Sequence, residues 1–120
     1  MSIALQYENE SLLGLVHDPI RDECFEAMRG HGATLNGKPI KTSMIDKLDK
    51  SLLATGFPYD RRDLADFYLT YFNVFMIRCQ GISRSGSAAL DLCYLACGRL
   101  DGLLELKLKP WDVARRLINC

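Results

Sequence analysis

Apolar and polar positions alternate in short runs over the first 41 residues, and turn-forming residues break the runs, which predicts antiparallel strands. Ser2 to Glu8 alternates, Asn9-Glu10-Ser11 turns the chain, and Leu12 to His17 is the next apolar run, closed by Asp18-Pro19. Glu23 to Arg29 reads as a third strand ending at Gly30-His31-Gly32. Asn36-Gly37 predicts a two-residue hairpin, because both residues tolerate positive φ.

The period changes after residue 50. Ser51 to Phe57 reads as a buried strand leading into a loop at Pro58. From Arg61 to Arg78, the residues Leu64, Phe67, Tyr68, Tyr71, Phe72 and Phe75 recur at steps of three and four. That spacing predicts a helix whose aromatic face packs on the core. Asp60, Asp63 and Asp66 at its start and Arg78 near its end suit the helix dipole. Gly81 to Arg84 is a short strand, Ser85-Gly86-Ser87 a turn, and Ala88 to Cys97 a helix closed by Gly98. Asp101 to Lys109 reads as a strand with Leu104, Leu106 and Leu108 on one face and Glu105 and Lys107 on the other. Pro110 stops it, and Trp111-Asp112 opens a last helix.

The order of elements defines an α/β chain, an antiparallel meander followed by a strand–helix–strand unit. With 120 residues it fits one domain, divided into a sheet part (1–50) and an α/β part (51–120). Fifteen basic residues balance fifteen acidic ones, so no global field favours nucleic acid or an anionic membrane. No apolar run approaches the length of a membrane span, and the first residues lack a signal-peptide layout. The cysteines Cys24, Cys79, Cys93, Cys97 and Cys120 are odd in number and contain no Cys-x-x-Cys pair. Cys93 and Cys97 share a face of the predicted helix without a second ligand pair, so they read as small buried thiols in a reducing, cytoplasmic compartment.

Three features carry candidate chemistry. In Ser85-Gly86-Ser87-Ala88 a glycine turn runs into a helix start, whose unbonded N–H groups suit an anion or a ring of hydroxyls. Ser87 is also an ordinary helix cap, the simpler reading of those residues alone. Glu105 is a carboxylate in a leucine-rich strand; it can accept hydrogen bonds from sugar hydroxyls, pair with Lys107 or Lys109, or face solvent. Asp112, beside Trp111 at a helix start, is either a cap or a hard oxygen ligand of the kind magnesium or calcium takes.

The ordered text Arg84-Ser85-Gly86-Ser87-Ala88-Ala89-Leu90-Asp91-Leu92, Ala96-Cys97-Gly98-Arg99-Leu100-Asp101-Gly102, Glu105 and Lys109-Pro110-Trp111-Asp112-Val113-Ala114 resembles the C-terminal half of the inositol monophosphatase family. Upstream, Gly14 to Pro19, Arg29 to Ala33, Leu35-Asn36-Gly37 and Leu53 to Tyr59 resemble it in the same order. The resemblance implies a layered sugar-phosphatase fold, present in part, and magnesium-dependent hydrolysis of inositol monophosphate or a related polyol phosphate. It implies Asp112 as a metal ligand, Gly86, Ser87 and Ala88 as contacts to the substrate ring, and Glu105 as acceptor from a substrate hydroxyl. A homodimer is a further implication.

The family's first metal motif, Asp-Pro-Ile/Leu-Asp-Gly-Thr, does not occur in these 120 residues. Asp18-Pro19-Ile20-Arg21-Asp22 resembles it, but Arg21 stands at the second Asp position and no Gly-Thr follows, so Asp18 is expected to make a turn. Arg115-Arg116 stand where the family places small residues. The expectation is therefore an incomplete chain, weak or inactive alone and prone to self-association. The alternative is a non-catalytic fragment, or a half-domain that pairs with a chain supplying the missing ligands.

Overall fold

The computed structural model describes residues 1–8, 10–58 and 62–108. Two sheets form. The first has five antiparallel strands in sequence order: β1 (Ser2–Tyr7), β2 (Glu10–Asp18), β3 (Glu23–Met28), β4 (Gly32–Leu35) and β5 (Lys38–Pro39). The meander follows the predicted strand order, but the first turn is tighter than the sequence suggests: Glu10 and Ser11 already belong to β2, paired with Tyr7 and Gln6. Asn36 and Gly37 take φ of 50° and 76°, the left-handed pair that joins β4 to β5. Asp18 makes the expected turn: its carboxylate accepts from the Ile20 amide at 3.0 Å and pairs with Arg21 at 2.9 Å. These bonds, led by the one from Arg21, hold its carboxyl below the usual range.

The second sheet is parallel, with β6 (Leu52–Gly56) between β7 (Gly81–Ser83) and β8 (Gly102–Glu105). Parallel pairing needs crossover connections, and two helices provide them: α1 (Ala65–Met76) from β6 to β7, and α2 (Ala88–Ala96) from β7 to β8. β6 is the buried centre, with Leu53, Ala54 and Thr55 all shielded and Thr55 Oγ1 donating to the Leu104 carbonyl at 2.9 Å.

Helix α2 packs on both β2 and β8 and so ties the sheets together. Residues paired across an antiparallel ladder share a face, which puts Val16 and Phe25 on the side towards α2. Phe25 meets Tyr94 edge to face at 6.1 Å. Burying Val16 and Phe25 stabilises the fold by about 1.5–3 kcal/mol each. Arg99, just past α2, adds a forked ion pair to Glu23 of β3 at 2.6 and 2.8 Å and lies over the Tyr94 ring.

Three expectations need correction. The predicted core-facing stripe of α1 is only half covered: Tyr68 is buried and Phe72 meets Phe57 at 5.9 Å, while Leu64, Phe67 and Tyr71 are exposed. The cause is composition. Apolar residues surround α1 on every side, more than one neighbouring sheet can cover. The last strand ends at Glu105, because Lys107 turns the chain at φ 58°, and the alternation read through Leu108 does not continue as sheet. The helix on residues 61–78 shortens to Ala65–Met76. The helix opening at Trp111, with Asp112, Arg115 and Arg116, lies outside the described residues. Among the described residues no helix is long and apolar enough to cross a membrane, and no disulfide joins Cys24, Cys79, Cys93 or Cys97, each half-buried.

Candidate functional site

The three parallel strands end side by side. Register pairs Ala54 with Ser83 and Gly56 with Glu105, so the carboxyl ends of β6, β7 and β8 form one edge. In open α/β sheets that edge is where ligands bind, because loops and helix starts gather there. The Ser85-Gly86-Ser87 turn leaves β7 at this edge and Glu105 closes β8 on it. Two of the three sequence-derived features thus lie at the carboxyl edge of one sheet, on the strands that flank β6. The third, Asp112, lies outside the described residues.

The turn is built by its own side chains. Gly86 takes φ 90°, a conformation that favours glycine, and an added Cβ there would meet open space. Ser87 caps α2, accepting at Oγ from the Leu90 amide at 3.4 Å. The amides of Ala88 and Ala89 lie in the first turn, where a helix supplies no carbonyl to bond them. Ser87 is thus the helix cap, and Ser85 and Gly86 before it are exposed.

Glu105 is half-buried. Its carboxyl lies across Gly56 on the neighbouring strand: a Cβ added at Gly56 would meet Glu105 Oε1 and lie 2.6 Å from its Cδ. The Oε2 atom is shielded from water. Gly56 is thus what admits the acid onto the edge. Arg84 brings a cation to the same loops, lying over the Phe57 ring at 5.6 Å.

Asp91 was not singled out in the sequence. It sits in the first turn of α2, is 4% exposed, and accepts from Ser85 Oγ at 2.6 Å. Burial raises its carboxyl above the usual range, and the Ser85 bond opposes the shift. The signal was available: Asp91 is an acid in the otherwise apolar run Ala88 to Ala96. The role of Gly56 had no such signal, because it follows from register between strands 49 residues apart.

Among the described residues no three His, Cys, Asp or Glu side chains converge as metal ligands. The described donor set does not by itself fit a magnesium centre.

A parallel sheet layered through one helix on an antiparallel sheet defines a layered α/β protein, the class in which ligand sites, where present, lie outside the carboxyl ends of the parallel strands. The chain belongs to the inositol monophosphatase family, which matches residues 1–115. In particular, it is similar to the inositol monophosphatase of Anabaena (Nostoc), whose structure has 47% sequence identity and a TM-score of 0.90 over 98% of this chain and 46% of that one. The inositol-1-monophosphatase of Synechocystis is 46% identical over 118 residues, 98% of this chain and 41% of the relative. The Nus factor SuhB of Escherichia coli K12 is 43% identical over 114 residues, 95% of this chain and 43% of the relative. The chain spans less than half the length of these relatives.

Proposed function

We propose that this chain forms the substrate cradle of a magnesium-dependent phosphate monoester hydrolase acting on inositol monophosphate or a related polyol phosphate. The observation that supports this most is the placement of the Gly86-Ser87-Ala88 helix start and Glu105 at the same carboxyl edge of the parallel sheet, on either side of β6. Polyols present a ring of hydroxyls that both donate and accept. The amides at the helix start donate to the ligand's oxygens, and the Glu105 carboxylate accepts from a hydroxyl. These residues bind and orient; positioning is most of what phosphoryl transfer asks of a protein.

Magnesium, when bound, neutralises phosphate charge and activates water. By resemblance this chain would contribute Asp112 to it, and further ligands would come from the family's first metal motif, which these 120 residues do not contain. The chain alone is therefore expected to turn over little or no substrate. The soluble, cytoplasmic setting and the homodimer belong to the same proposal.

A second reading is a non-catalytic module or half-domain that works by pairing with another chain. It is favoured by the lack of the family's first metal motif in these 120 residues and by a similar protein named as a Nus factor. The test is phosphate release from inositol 1-phosphate with and without magnesium, by the 120-residue chain alone and with the remaining portion of the Anabaena relative, each with an Asp112→Asn control. Turnover that needs both portions, magnesium and Asp112 supports the cradle. Full turnover by the chain alone overturns the expected inactivity, and none in any mixture favours the non-catalytic module.

A further inference from the structure

The substrate-contacting turn is short, solvent-facing and contains a left-handed glycine, so something must hold its shape. Two hydrogen bonds do so in series. The Ser87 amide donates to Ser85 Oγ at 3.3 Å, and the Ser85 hydroxyl donates to Asp91 Oδ1 at 2.6 Å. The Asp91 amide bonds back to the Ser87 carbonyl at 2.9 Å, which closes the loop through the helix itself. The acid at the base of this chain is buried, whereas Ser85 and Gly86 are exposed. A buried carboxylate is costly to desolvate and is retained where its hydrogen bonds do specific work.

We infer that Asp91 is a positioning residue for polyol recognition: through Ser85 it fixes the Ser85-Gly86-Ser87 turn in the shape that presents the start of α2. Asp91 does not reach the ligand. A free turn samples many backbone states, and each must be frozen when a ligand binds. The Ser85–Asp91 bond freezes them in advance. Ser85 has a second effect, since it occupies the Ser87 amide and leaves the later amides of the first turn as donors. The functional meaning rests on the cradle reading; the clamp itself rests on geometry alone.

The test uses the 120-residue protein with Ser85→Ala, Asp91→Leu and Asp91→Asn, read by amide hydrogen exchange and by NMR titration with inositol 1-phosphate. Ser85→Ala is expected to speed exchange of the Ser87 amide at least tenfold while amides of Cys93 to Ala96 keep their protection. Asp91→Leu should do the same. Asp91→Asn should restore most of the protection, because its carbonyl oxygen still accepts from the Ser85 hydroxyl, a rescue that a merely space-filling role would not give. Unchanged Ser87 exchange in Ser85→Ala, which alters an exposed residue and should leave the fold intact, overturns the clamp. Equal damage from Asp91→Asn and Asp91→Leu also overturns it. In the titration, shifts at Ser87 to Ala89 that need about tenfold more ligand in Ser85→Ala support the link to recognition. Absence of shifts in the unaltered protein overturns the cradle reading and with it that link, while the exchange data still decide the clamp.

Discussion

Gly56 and Glu105 illustrate how one residue's absent side chain fixes another's position. Glu105 can lie across β6 only because position 56 has no Cβ, and the lost space would be taken back by the smallest possible addition. Gly56→Ala should destabilise the protein by about 1–2 kcal/mol, the cost of forcing a well-packed group aside. The penalty should shrink when Glu105→Ala is present, so that a double-mutant cycle in urea gives a coupling of about 1 kcal/mol. Additive losses would show that the two residues do not meet. Glu105 also has no room to swing back over β6, so the same substitution should weaken inositol phosphate binding at a site that Gly56 itself never touches.

At the scale of elements, helix α1 begins without a side-chain cap. Leu64 stands at its N-cap position, where its carbonyl accepts from the Tyr68 amide at 3.1 Å but its side chain caps no amide. Leu64→Asp should raise stability by about 1 kcal/mol in a denaturant melt, by capping a free amide and placing negative charge at the positive end of the dipole. A loss would mean that the half-exposed leucine contributes more by packing than by its cap position. α1 also marks where the pattern along the chain stopped being informative. Its existence and period were legible, as were the meander, the Asn36-Gly37 turn and the cap at Gly98, because each depends on residues close in sequence. How much of α1 is covered was not legible, because covering depends on neighbours far along the chain. The strand at Leu104 to Leu108 misled for a related reason: alternation is necessary for a strand, but a left-handed backbone at Lys107 ends it regardless. The site divides the same way. Gly86, Ser87 and Glu105 stand out in the sequence as candidates, whereas Asp91 and Gly56 meet partners that only the fold identifies.

Across the whole molecule, the two sheets meet through α2 and through the Glu23–Arg99 fork. The hydrogen bonds from Arg99 lower the Glu23 carboxyl below its ordinary value, with burial opposing. A carboxylate whose folded pKa is depressed stabilises the fold above its unfolded pKa, near 4.5. That contribution is lost as pH falls through the folded value. Glu23→Gln should therefore reduce stability at neutral pH and flatten the acid limb of the stability profile, as followed by thermal melts from pH 7 to pH 3. An unchanged acid limb would assign the coupling of the sheets to Phe25 and Tyr94 instead. The outer face of the first sheet gives the molecule a second character: Ile3, Leu5 and Met28 are exposed there, and β1 is an edge strand. Exposed apolar surface of this kind should bind a hydrophobic dye such as ANS in the isolated chain, and charging Leu5 as Leu5→Lys should lower the signal without unfolding the protein.

The central place of β6 has a consequence for time as well as space. Each hairpin of the first sheet joins neighbours in the chain, so it can close within its own few residues. β6 pairs on both sides with strands that follow it, and its last partner, Glu105, lies 49 residues downstream of Gly56. Such distant pairing pays its loop-closure entropy before any reward and is slow. During synthesis, the antiparallel sheet is therefore free to form while β6 still waits for its neighbours, and the sheet edge that carries both the Ser85 turn and Glu105 forms only after it.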